Sequence, residues 1–446
     1  MLLSIKKVVN IVVTPNLCFS HKMSKKILVW FRNDLRLHDN EVLFEAISKS
    51  DSILPVYVVD HRLFDKTKYN TNKTGSIRAK FILESVTALR DSLKKIGGNL
   101  LILSGKPEDI IPQIANEYQI SEVYHHREVA SEETHISSLV ENGLWKYRIN
   151  LKHFIGHTLY NKEDLPFPVK DIPDAFNQFK KKVERDAIIK PCFVAPEKVN
   201  VAELSDWGNL PSLDALGIID PEKDERSDFD FTGGEEEGLL HLQKVIDEMQ
   251  LPPTSKRIIF ASKLSAWLAM GCLSPRKVYW EIKKTEHIPH TKTMFNHVLL
   301  GLLWRDYFRF MFKKYGNTFF KPQGFSKDVH VVAENEGENL ENWKNGTTGF
   351  PVVDAVMTEL NKTGFISNMA RQAAALCLIH NLKVNWIFGA AYFEERLIDY
   401  NPASNWGNWV QIAGLGNDQK AKTNYNFEKS IKIIDPKGDY VTYWAS

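Results

Sequence analysis

The stretch Asp399-Tyr400-Asn401-Pro402-Ala403-Ser404-Asn405-Trp406-Gly407-Asn408-Trp409 decides how the rest of the chain is read. It gathers an acid, side-chain amides and two tryptophans into eleven residues. That mixture is too aromatic for a surface loop and too polar for a plain core. It suits a pocket that holds a flat polar ring system and moves electrons to it. The stretch lies close behind segments of helical length or spacing, at 352–363, 368–380 and 386–397. Further upstream the same character continues through 239–249, 262–270, 275–284 and 295–315. No strand signal of comparable strength interrupts this half, so an all-α domain is expected over 235–446.

The first third reads differently. Ile27-Leu28-Val29-Trp30-Phe31 is wholly apolar, as a strand buried on both faces requires. Further strands are expected at 53–59, 100–103, 123–124 and 151–155, with helices between them, including 40–50 and 76–96. Gly97 and Gly98 stop the helix at 76–96, and Pro107 opens the next one. Strand and helix in alternation imply a doubly wound parallel sheet, Rossmann-like, over 25–156. Between the halves, 157–234 is punctuated by prolines such as Pro166, Pro191 and Pro211, and reads as a connector over the surface.

With 446 residues, 43% hydrophobic and 25% charged, the chain is an ordinary globular one. A net charge of +2 excludes a global nucleic-acid clamp but permits a local basic face. Cys18, Cys192, Cys272 and Cys377 show no metal-ligand spacing, so reduced thiols in an intracellular protein are expected and no metal. No apolar run is long enough to span a bilayer. The first 33 residues lack any acid and carry five lysines and one arginine. Residues 1–24 therefore read either as a transit segment to mitochondrion or plastid, or as a short leader before an alternative start at Met23. In the second case cytoplasm or nucleus is expected.

Several constellations carry chemistry. Trp30 to Asn40 leaves the first strand at the sheet's carboxyl end, where open α/β sheets place ligands. It equally suits a salt-bridged turn, and it lacks a G-x-G-x-x-G fingerprint. Thr254-Ser255-Lys256-Arg257 and Ser262-Lys263-Leu264-Ser265 set hydroxyls and cations beside helix starts, which suits a pyrophosphate or, for Ser262, a simple N-cap. Asn368 and Arg371 share a helical face, with Asp399 as a candidate partner for Arg371. Lys313, Lys314, Lys420, Lys422 and Lys429 are candidate phosphate contacts.

These strings resemble the cryptochrome/photolyase family, its DASH-type cryptochromes above all, over about residues 25–444. The resemblance implies an α/β antenna domain followed by a helical FAD-binding domain. It assigns Ser262, Lys263, Leu264 and Ser265 to the diphosphate, and Asn368, Arg371, Asp399, Asn401 and Asn405 to the flavin, with Asn405 facing N5. It makes Trp343, Trp386 and Trp409 an electron relay from surface to flavin. It places Trp304, Arg305 and Gln372 against substrate, and Glu128 and Lys321 against a folate antenna, 5,10-methenyltetrahydrofolate. The implied activity is blue or near-UV light-driven splitting of cyclobutane pyrimidine dimers in single-stranded or looped DNA, by a monomer. Two alternatives stay open: a signalling photoreceptor without repair, and a flavin-free nucleic-acid-binding relic. Four departures bear on the choice. Gly301 replaces a usual glutamate, Asn401 a usual aspartate, the loop at 251–260 lacks the usual polar residues, and the chain stops at Ser446 where such proteins generally continue.

Overall fold

Five strands pair in parallel in the order β3-β2-β1-β4-β5: β1 (Lys26–Phe31), β2 (Ser52–Val59), β3 (Leu101–Ser104), β4 (Glu122–His126) and β5 (Asn150–Phe154). The computed structural model describes residues 24–252, 262–326, 337–418 and 426–445. β1 is central, with Ile27 beside Ile53 on one flank and Glu122 on the other. Successive side chains of a strand point to opposite faces. Ile27, Val29 and Phe31 accordingly enter the large core, while Leu28 and Trp30 enter a smaller one. Helices α1 (Glu41–Lys49), α2 (Ser76–Lys95), α3 (Pro107–Glu117) and α4 (Ser131–Trp145) form the crossovers. Strand order reverses between β1 and β4, so the crevice at their carboxyl ends is where such a sheet binds ligands.

The connector departs from the expected surface strand of chain. It contains a helix, α5 (Phe176–Asp186), whose Phe176, Phe179 and Val183 are buried. These three are its only apolar side chains, spaced for one narrow face, and the flanking prolines hide that signal in the sequence.

The helical half comprises α6 (Glu235–Gln250), α7 (Ser265–Ala269), α8 (Pro275–Lys283), α9 (Lys292–Tyr315), α10 (Glu338–Asn345), α11 (Pro351–Thr363), α12 (Asn368–Leu376), α13 (Trp386–Arg396), α14 (Pro402–Ile412), α15 (Phe427–Ile434) and α16 (Asp439–Ala445). The opening stretch of sequence is therefore mostly helix. Pro402 sits at its first turn and Asn401 caps it, accepting from Ser404 N at 3.3 Å.

The segment after β1 fastens the two halves together. Asp39 accepts from Arg276 at 2.6 and 3.0 Å, and Leu37 N and His38 N donate to Glu235 at 2.8 and 2.9 Å. Arg36 donates to Gly271 O at 2.8 Å and Gly156 O at 2.9 Å. Gly271 holds φ +67°, and a Cβ there would stand 1.8 Å from Asn33 O. Only glycine permits that approach. Residues 34–39 thus follow the salt-bridged-turn alternative, leaving Trp30 to Asn33 to face the crevice.

Candidate functional site

Two cavities meet near the start of α14. The smaller, about 70 Å³, is lined by Asn368, Arg371 and Gln372 of α12 and by Asn401, Ser404, Asn405, Asn408 and Trp409 of α14. Three- and four-residue spacing puts each set on one helical face. Arg371 Nη2 donates to both oxygens of Asp399 at 3.0 and 2.8 Å, and Nε donates to Ile366 O at 3.0 Å. The expected Arg–Asp pair is therefore present, with the carboxylate 4% and the guanidinium 24% exposed. Asn405 Nδ2 donates to Ala390 O at 2.9 Å. A carbonyl partner fixes which end of the amide is nitrogen, so Oδ1 is the atom offered to the cavity, purely an acceptor.

The larger cavity, about 710 Å³, fills the crevice between sheet and helices. Its wall includes Trp30, Arg32 and Asn33 from after β1, Tyr69 and Glu133 from the α/β half, and Lys321, Tyr400 and Trp406 from the helical half. Tyr400 and Asn401 line both cavities and so form the partition between them.

Residues 27–197 match the DNA photolyase domain family, and residues 298–446 match the FAD binding domain of DNA photolyase. Cryptochrome DASH of Gloeobacter violaceus is 41% identical, the match covering 94% of this chain and 85% of that protein. The chain belongs to the cryptochrome/photolyase family, in its DASH group. A chloroplastic/mitochondrial cryptochrome DASH of Arabidopsis thaliana is 39% identical over 94% of this chain and 75% of that one. The crystal structure of a Synechocystis cryptochrome superposes with a TM-score of 0.86 at 40% identity, over 94% of this chain and 88% of that one. The fold class expected from sequence, sheet domain then helical FAD-binding domain, is that of this cryptochrome family.

The donor set suits one edge of a flavin: an ion pair, a fixed amide acceptor and an indole. At 70 Å³ the cavity is far below the roughly 300–1,000 Å³ of ordinary ligand pockets. Of the expected diphosphate residues, Thr254 to Arg257 lie outside the described residues, as does the loop 253–260. Ser262 does not cap α7, whose N-cap is Leu264; its carbonyl accepts from His241 Nε2 at 2.8 Å. Lys263 Nζ is paired with Asp228 at 2.8 Å, and Ser265 opens α7.

Trp409 lines the small cavity, and Trp343 meets it edge to face at 6.1 Å between ring centroids. Trp343, Trp386 and Trp409 are 0%, 2% and 2% exposed. None of the three reaches solvent, so the expected surface end of the relay is not among them. Trp343 is held inside because its Nε1 donates to Ala374 O at 2.9 Å and its ring stacks on Phe393.

Trp304 is half-buried, and Phe176 of α5 lies flat against it. Arg305, expected to touch substrate, points inward instead. It donates to His157 O and, at 2.8 Å, to Leu268 O. Burial pulls its guanidinium down to about 9, and its two acceptors tie α9 to the start of the connector and to α7. Gly301 is exposed on α9, one turn before Trp304, with nothing within 4 Å of an added Cβ. Lys314 is paired with Asp174 at 2.8 Å, Lys313 is exposed on α9, and Lys420 and Lys422 lie outside the described residues.

Lys321 lines the large cavity, whereas Glu128 stands behind it. Glu128 accepts from Asn33 Nδ2 at 3.1 Å and pairs with Arg309 at 2.7 Å. Burial opposes its ionisation, but Arg309, His126 and Arg32 outweigh burial and hold the carboxyl low. Glu133, which does line the cavity, is pushed the other way by burial and by the charge on Glu128. His126, Glu128 and His157 have ligand atoms within 4.8 Å of one another. His126 Nδ1 accepts from Gly156 N at 3.2 Å, which leaves the proton on Nε2. His157 Nε2 stands 3.5 Å from Glu128 Oε1, and neither His126 Nε2 nor His157 Nε2 has a hydrogen-bond partner among the described residues. Glu133, Tyr400 and Trp406 went unassigned in the sequence. Tyr400 and Trp406 were within the opening stretch, but nothing in their spacing tells that they face the second cavity.

Proposed function

We propose that this protein is a light-driven electron-transfer flavoprotein that splits cyclobutane pyrimidine dimers in single-stranded or looped DNA. The observation that carries the reading is Asn405 Oδ1, fixed as an acceptor beside the Arg371–Asp399 pair in the FAD-binding domain. Bound FAD, once reduced and excited by blue or near-UV light, supplies a single electron to the dimer. The chain's own residues then do the positioning. Asn405 Oδ1 would accept a hydrogen bond from the flavin, and the Arg371–Asp399 pair would set the local charge beside it. Trp304 stacks on bases already unpaired, which avoids the cost of flipping them. Ser262, Lys263, Leu264 and Ser265 stand for the diphosphate, Asn368 and Asn401 for the flavin, and Gln372 for substrate. A folate antenna fits the large cavity by size, with Lys321 on its wall. The protein acts as a monomer, and residues 1–24 are either an organelle transit segment or a short leader, the latter leaving it in cytoplasm or nucleus.

The test is repair of a dimer-containing oligonucleotide by purified protein loaded with FAD, under blue light and in darkness. Light-dependent loss of the dimer is expected, faster on single-stranded than on duplex substrate. Flavin-loaded protein that leaves the dimer intact would point to the second reading, a signalling photoreceptor. Gly301, the inward turn of Arg305 and the stacked face of Trp304 favour that alternative.

A further inference from the structure

If the three expected tryptophans are all buried, the relay needs another way out. Trp409 packs over Gly389 of α13, where an added Cβ would lie 2.3 Å from its ring, and Trp386 begins the same helix one turn earlier. Trp386 in turn meets Trp406 edge to face at 5.9 Å. Trp406 is itself only 4% exposed, but unlike Trp343, Trp386 and Trp409 it lines the 710 Å³ cavity, with Tyr69 at 6.4 Å and Phe320 at 5.1 Å. The indole N–H groups differ in a way that matters. Those of Trp343 and Trp386 donate to backbone carbonyls, Ala374 O and Pro322 O, which cannot accept a proton outright. That of Trp406 donates to the Tyr400 hydroxyl at 3.3 Å, and Tyr400 is hydrogen-bonded to the carboxyl of Glu394. An oxidised indole is a strong acid, so it becomes a lasting trap only where a base is connected to it.

We propose that Trp406 is the outer end of the relay, passing its electron to oxidised Trp386 and its ring proton to Tyr400, which hands its own phenolic proton to Glu394. The proposal rests on the light-driven reading above. One electron leaves Trp406 and one proton moves along two hydrogen bonds, leaving a neutral indole radical, a neutral phenol and a carboxylic acid. A small thiol entering the large cavity restores the electron and is itself oxidised.

Two measurements test this. In the first, the FAD-loaded protein is illuminated with blue light in the presence of a small thiol, and loss of the flavin's visible absorption is timed. Trp406→Phe and Tyr400→Phe are each expected to slow it severalfold at unchanged FAD content. The Tyr400→Phe protein is also expected to lose the slowing that heavy water causes in the wild type. A Trp406→Phe protein as fast as wild type overturns the proposal. The second needs no flavin. The full chain is treated with photogenerated tris(bipyridine)ruthenium(III), and oxidised tryptophans are mapped by peptide mass spectrometry. Damage is expected at Trp406, moving to Trp386 in Trp406→Phe; damage that spares Trp406 overturns the proposal. Wild-type protein that binds FAD yet shows no light response, while Trp406 still takes the chemical damage, counts against the light-driven reading and leaves this route standing.

Discussion

Phe176 lies on Trp304 with ring centroids 3.6 Å apart and planes 8° from parallel. The contact ties the connector to α9, and its neighbour Asp174 reinforces it by accepting from Lys314 at 2.8 Å and Tyr315 at 2.6 Å. One face of the indole is therefore backed by protein, and a base stacked on Trp304, as proposed, would have only the other face. Phe176→Leu keeps the bulk but loses the ring pair, costing about 0.5–1.5 kcal/mol of stability. Urea denaturation measures that. The same variant should bind a dimer-containing oligonucleotide more weakly, because its platform can tilt. Unchanged affinity would show that Trp304 does not carry the bases.

Gly301 is exposed in α9, and a side chain there meets open space. Glycine in a helix interior costs about 1 kcal/mol relative to good helix formers. Gly301→Glu is expected to leave the fold intact, to stabilise it by up to about 1 kcal/mol, and to raise repair of the dimer by returning a hydrogen-bonding acid one turn before Trp304. Parallel melting curves and repair assays check both halves. Added stability with no gain in repair would mean that the missing glutamate is not what limits this protein.

Arg371 and Asp399 behave as a unit. Asp399→Asn leaves a partly buried guanidinium without its anion, at a cost of about 1–3 kcal/mol. Arg371→Met with Asp399→Leu removes both charges together, which commonly restores stability. Neither variant should retain FAD well. Flavin absorption after gel filtration, beside a melting curve, separates the two effects. A double variant that folds and keeps its flavin would remove the pair from the account.

How much of this was legible beforehand depended on the range of the interaction. Ile27 to Phe31 declares a buried strand because five successive apolar residues leave no solvent face. Arg371 and Asp399 could be paired because an unpaired buried ion is costly. Arg305 could not be read correctly, because its acceptors, His157 O and Leu268 O, are backbone atoms far along the chain that carry no sequence signature. Trp343 likewise looks the same on paper whether its indole reaches solvent or Ala374 O. The helix at Phe176 was hidden for a third reason: it has three apolar residues on a narrow face, and the ring it packs on belongs to another element.

Glu359 on α11 gives the fold a pH response near neutrality. It accepts from the Tyr440 hydroxyl of α16, and burial raises its carboxyl from 4.5 to about 7. A raised acid binds its proton more tightly folded than unfolded. The stability it contributes is therefore fully present below about pH 4.5 and is lost as the pH climbs through about 7. The Tyr440 hydrogen bond itself favours the ionised carboxyl, so the loss comes from burying that charge where α16 packs on α11, and α16 should exchange its amide hydrogens faster on the alkaline side. Hydrogen exchange across 439–445 at pH 6 and pH 8, corrected for intrinsic rates, measures it. Glu359→Gln keeps an acceptor for Tyr440 but cannot ionise, so its protection should no longer depend on pH over that interval. If the variant and the wild type change in parallel, the response belongs to another group.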